Sequence, residues 1–120
     1  MKYFMCVLFL VIITASPLFA GEVDVVKVEV QPERSGTYRF DVTLRHDDTD
    51  WKQYADRWEI LTTDGKILAT RVLQHPHVQE QPFTRSLSGV KIGPEIGKVV
   101  VRGHDSVHGY GGRELTVTFR

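Results

Sequence analysis

The feature that most constrains this chain is an alternation of apolar and polar residues with a period of two. Tyr38, Phe40, Val42 and Leu44 alternate with Arg39, Asp41, Thr43 and Arg45. Such a segment buries one face only as a β-strand, because successive side chains of a strand point to opposite sides. Val26, Val28 and Val30 repeat the rhythm, and Val23 and Val25 precede them in the opposite phase. The phase change at Val25–Val26 predicts a bulge or a strand that changes sheets. Further strands are expected over residues 56–62, 66–73, 83–92, 98–104 and 115–119. The turn signals between them are residues 31–36, Thr63-Asp64-Gly65, residues 93–97 and the glycine-rich stretch 105–112. One helical turn is expected near residues 50–54, where Trp51, Tyr54, Ala55 and Trp58 fall at helical spacing. Residues 74–82, with Pro76 and Pro82, read as an extended, unpaired crossing segment.

Seven short strands with turns every 8–12 residues are the layout of an antiparallel β-sandwich of the immunoglobulin or fibronectin III kind. A small β-barrel is the alternative. The expected core takes the inward phase of each strand: Tyr38, Phe40, Val42, Trp58, Val99, Val101, Leu115 and Val117.

The sandwich accounts for residues 21–120. Residues 1–20 read as a cleavable secretory signal: Lys2 supplies a positive start, and Tyr3 to Ala15 form an uncharged apolar run. Ser16-Pro17 then ends it, and Ala20 gives a small residue before Gly21. The run falls short of the about 20 residues that span a bilayer. No membrane insertion is expected after cleavage, and the exported product is expected in a bacterial periplasm or outside the cell.

Removing the signal takes Cys6, Met1 and Met5, the only sulfur-bearing residues of the 120. Disulfides, thiolate metal sites and cysteine nucleophiles are thereby excluded from the exported domain. The chain has 15 basic and 15 acidic residues and no basic stripe, so nucleic acid is not an expected partner.

The segments YADRWEILTTDGKILATRVLQHPHVQEQPFTRSLSGV and VVVRGHDSVHGYGG resemble a family of small secreted bacterial proteins without an established function, with an immunoglobulin-like or fibronectin III-like β-sandwich. The resemblance implies bacterial export and a compact domain. It implies no activity and no site residue.

The residues with most chemistry are five histidines at positions 46, 75, 77, 104 and 108. If successive strands run antiparallel, the second, fourth and sixth finish at the same end, and all five histidines gather there. In His75-Pro76-His77 the proline holds an extended chain, so two imidazoles about 6.6 Å apart at the backbone point the same way. His104 and His108 supply third and fourth nitrogens, with Asp105 as a carboxylate. His75, His77, His104 and His108 are therefore the candidate metal ligands, and with nitrogen and oxygen donors alone Zn²⁺ or Cu²⁺ fits best. The competing reading is a set of ordinary loop histidines on a module that needs no cofactor.

Catalysis is not expected. His104-Asp105-Ser106 holds the residue types of a hydrolase triad, but triad members come from separate segments, and no nucleophile elbow is present. Asp47, Asp48 and Asp50 lack the glycine and glutamate of a calcium loop and suit a solvated turn. Trp51, Tyr54 and Tyr110 are candidate exposed aromatics at the histidine end. Two functions stand: a non-catalytic exported binding module recognising a protein or a saccharide, and a periplasmic Zn²⁺- or Cu²⁺-binding protein.

Overall fold

The computed structural model of the chain describes residues 10–13, 22–46 and 51–119. The expected cleavage point at Ala20–Gly21, the sulfur-bearing residues Met1, Met5 and Cys6, and Asp47, Asp48 and Asp50 lie outside the described residues. Eight strands are present: β1 (Leu10–Ile13), β2 (Asp24–Pro32), β3 (Thr37–Arg45), β4 (Ala55–Thr62), β5 (Ile67–Val72), β6 (Phe83–Lys91), β7 (Lys98–Asp105) and β8 (Leu115–Thr118). Seven of them lie beyond residue 20, and their spans match the alternating segments of the sequence within a residue or two.

They form two antiparallel sheets. One has the order β2-β3-β6, the other β1-β8-β7-β4-β5. Apart from β1, this is the arrangement of three strands facing four that defines an immunoglobulin- or fibronectin III-like β-sandwich. β1 lies within the stretch read as a signal and pairs with β8 as an added edge strand.

The phase change in β2 is a register shift between Val25 and Lys27. It lets Val23 and Val25 face inward on one side of the bulge, and Val28 and Val30 on the other. Gly65, at φ 97°, closes the β4–β5 hairpin in a conformation other residues rarely adopt. The expected helical turn near residues 50–54 is a correction: Trp51 and Lys52 make a simple turn, after which Ala55 enters β4. The helical spacing of Trp51, Tyr54, Ala55 and Trp58 is incidental, because Ala55 and Trp58 are inward positions of a strand.

Phe40, Val42, Trp58, Val99, Val101, Leu115 and Val117 are fully buried, and Leu44, Ile60 and Phe83 join them. Tyr38 is only partly buried; its ring packs on Phe119 with centroids 5.2 Å apart, at the end of the sandwich away from the histidines. Val23 crosses over β7 where a side chain would obstruct it. A Cβ at Gly103 would lie 2.3 Å from Val23 Cγ1, and one at Gly112 would lie 1.8 Å from the Val23 carbonyl oxygen. The same crossing is tied by Val25 N–H to the Arg113 carbonyl at 2.8 Å and by Arg113 N–H to Asp24 Oδ1 at 2.8 Å.

Truncating Phe40 or Trp58 to alanine is expected to cost about 3–5 kcal/mol in urea denaturation, enough to unfold much of a marginally stable domain. Gly112→Ala should also be strongly destabilising, since the obstructing atom is backbone and cannot swing aside. A loss below about 1 kcal/mol at both Phe40 and Trp58 would mean that the inward phase is wrong.

Candidate functional site

β3, β5 and β7 finish at one end of the sandwich, and β4 and β6 begin there. The five histidines lie at this end, in four different settings.

His46 directly follows β3, and Asp105 is the last residue of β7, in the other sheet. Their side chains are fully buried, and His46 Nε2 bonds Asp105 Oδ2. Asp105 is held from several directions. Its Oδ1 accepts the backbone N–H groups of Val107 and His108, each at 2.7 Å, and Gln53 Nε2 reaches Oδ2 at 3.3 Å. Its own backbone exchanges two hydrogen bonds with Gly109, at 2.8 and 2.9 Å. The next residue, Ser106, donates its N–H to the Tyr54 carbonyl at 2.9 Å and accepts the Tyr54 N–H on Oγ at 3.1 Å. From His46, the backbone N–H runs to Gln81 Oε1 at 3.0 Å, and Gln81 Nε2 runs on to the His77 carbonyl at 2.8 Å. One buried pair thus links both sheets to residues 51–54, 74–82 and 106–112.

Burial by itself would raise the Asp105 carboxyl pKa. The donors from His108 and Val107, then from His46 and Gln53, outweigh it and hold the group below the ordinary aspartate value.

His77 is buried, its ring stacked flat on Phe83 with centroids 4.0 Å apart and planes 12° from parallel. The His75 ring lies 4.8 Å from that of His77, although the chain bends at His75. His75 itself is exposed, with Nδ1 3.1 Å from the Pro76 carbonyl.

His104 points to the opposite face of β7 from Asp105. Its Nδ1 lies 2.7 Å from Asp56 Oδ1, and its ring meets Tyr110 edge-on at 4.8 Å. Tyr110 in turn covers a buried carboxylate. Glu59 accepts Arg57 Nε at 3.0 Å, Arg102 Nε at 2.9 Å and the Tyr110 hydroxyl at 3.0 Å. The Arg102 guanidinium sits 3.7 Å over the Tyr110 ring. Desolvation of Glu59 is more than offset by the donors from Arg102, Arg57 and Tyr110, so its pKa is also lowered. His108 is exposed and enters the network through its backbone N–H.

The four expected metal ligands are therefore distributed over three surroundings: His75 with His77, His104 with Asp56, and His108 in the loop. Among the described residues no group of three or more His, Cys, Asp or Glu side chains is arranged to hold an ion. The centre of this end is His46 with Asp105. The signal for it was strand parity, because His46 continues the inward series Phe40, Val42, Leu44, and Asp105 continues Val99, Val101, Gly103.

Exposed apolar side chains surround this framework. Trp51 is 65% exposed and Val107 60%, and Tyr110 is also exposed. The Trp51 and Tyr54 rings stand edge to face at 5.6 Å.

The chain is 42% identical over 102 residues to a protein of Halomicrobium mukohataei named "Putative lipoprotein"; the match takes in 85% of this chain and 50% of that protein. The chain thus spans about half the length of the curated relative it matches. No family model matches the chain, and no solved structure matches it.

Stability should fall on acidification. A carboxyl whose folded pKa is depressed contributes stability that is complete above its unfolded pKa, about 3.9 for aspartate, and that is lost as pH falls through the folded value. Urea denaturation between pH 7 and pH 3 should show a steep loss below about pH 4. Asp105→Asn should be less stable at pH 7 and show a shallower acid slope, and an unchanged slope would remove Asp105 from this role.

Proposed function

We propose that the chain is an exported, non-catalytic binding module of the cell envelope that recognises a protein or saccharide ligand through the loops at its histidine end. The observation that carries this reading is the set of exposed rings and apolar side chains, Trp51, Val107 and Tyr110, on loops held by hydrogen bonds. Exposed aromatic surface on a braced loop binds with little ordering cost, because few rotamers remain to be frozen. The reading against catalysis draws on the same geometry, since His46, Asp105 and Glu59 spend their donors and acceptors on structure.

Export draws on the sequence of residues 1–20 and on the lipoprotein name of the relative. No helix among the described residues is long and apolar enough to cross a membrane. Mass spectrometry of the protein recovered from an expressing cell should show loss of about twenty residues, with Gly21 at the new N-terminus. Intact chain embedded in membrane would contradict export.

The loop surface is tested with arrays of envelope saccharides and with cross-linking to envelope proteins. Trp51→Ala and Tyr110→Phe should leave the fold intact. Trp51→Ala should weaken capture of the ligand found by at least about tenfold, as expected of a central aromatic anchor. Unaltered capture would place recognition elsewhere.

A second reading, binding of Zn²⁺ or Cu²⁺, is favoured by the 4.8 Å approach of the His75 and His77 rings. Neutral imidazoles are required, so binding would weaken as pH falls through about 6.5. Calorimetry at neutral pH decides it: binding lost in the His75→Ala, His77→Ala double variant supports a metal function, and no binding to the unaltered protein excludes it.

A further inference from the structure

With β1 set aside, the two sheets have four edges, and three of them carry features that hinder pairing with another strand. β2 has its bulge at Val26, an ion pair between Lys27 and Glu29 at 3.4 Å, and Pro32 at its end. β5 carries an extra residue opposite the Ile60–Leu61 step, and Arg71 Nη1 covers the Val72 carbonyl at 2.6 Å. β6 has an extra residue opposite the Tyr38–Phe40 step, with Gly89 at φ 73°. Its Ser86 carbonyl accepts Arg71 Nε at 2.9 Å, and its Gly89 N–H donates to Glu33 Oε1 at 2.9 Å. Bulges, prolines, charges and covering side chains are the devices by which sheet edges avoid foreign strands.

β8 has none of these devices. Its sequence is Leu-Thr-Val-Thr, uncharged and without proline, and its pairing with β7 runs from Lys98↔Thr118 to Val101↔Leu115 with no shift in register. It is also the edge that the structure fills. Leu10–Ile13 lies antiparallel along it in unbroken register, from Leu10↔Thr118 to Ile13↔Leu115.

We propose that the outer edge of β8 is a strand-addition site whose ligand is an extended, uncharged, apolar segment rich in β-branched residues. Residues 10–13 are its occupant in the full chain, and a segment of the same chemistry from a partner protein takes their place once the leader is removed. Backbone hydrogen bonds supply the affinity of such a site, and the spacing of the added side chains supplies the selectivity. The site is separate from the loop surface described above. Its use by a partner rests on removal of the leader, whereas pairing within the full chain does not.

Amide hydrogen exchange tests both parts. In the full chain, Ile12→Pro removes a backbone donor from the added strand. Exchange at residues 115–118 should rise by about tenfold or more, with β3 unchanged. For the exported form, the chain beginning at Gly21 retains the whole described core, which runs from Val23 to Val117. Adding a lysine-flanked peptide of sequence Leu-Val-Ile-Ile should slow exchange at 115–118 and shift those resonances. The same peptide with proline at its third apolar position should not. Equal exchange in the full chain and its Ile12→Pro variant would overturn the intramolecular pairing. Lack of discrimination between the two peptides, or protection of 115–118 through self-association without peptide, would overturn the partner site. If only the loop-surface tests fail, the strand site stands.

Discussion

The buried contact between His46 and Asp105 is the constraint on which the histidine end of this sandwich depends. Each residue closes a strand of a different sheet, and neither side chain touches solvent. Removing a carboxylate from water costs several kcal/mol, and the cost is recovered only when the charge is fully bonded. Asp105 meets that condition with donors from His46, Gln53, Val107 and His108. The requirement for every one of these donors fixes the loops that carry them. Satisfying a buried charge and shaping a surface loop are therefore the same event.

Strand alternation sets a second network directly behind the first. Asp105 faces the core, and its neighbour His104 faces outward toward Asp56 and Tyr110. Two residues further back, Arg102 shares the outer face and helps neutralise Glu59. Tyr110 belongs to both, because its loop is closed by Asp105 and its hydroxyl is anchored on Glu59. The exposed part of its ring is presented from a backbone braced on two sides. This is how a small domain without disulfides in its described strands holds an ordered loop surface.

Much of the fold was legible because a period of two is a local signal. The strand from Tyr38 to Leu44, the Asp64-Gly65 turn and the bulge after Val25 each follow from a few adjacent residues. The addition of Leu10–Ile13 to β8 was not legible, since an apolar run carries no mark of the edge it will meet. For the site, the nearness of His75 and His77 is local, since the two are only two positions apart. The separation of His104 from that pair is not, because it depends on which face of β7 each residue takes. His46 and Asp105 are 59 positions apart, and spacing alone cannot join them. Their shared inward parity could have done so: a histidine and an aspartate, each continuing an apolar series into the core, need one another.

A double-mutant cycle on His46→Leu and Asp105→Asn, read by urea denaturation at pH 7, tests this dependence most directly. The account predicts that each single variant is strongly destabilised and that the two losses are far from additive, with a coupling of about 2 kcal/mol or more. Additive losses, with a coupling below about 0.5 kcal/mol, would show that the two residues stabilise the end independently and would contradict the central role given to their contact.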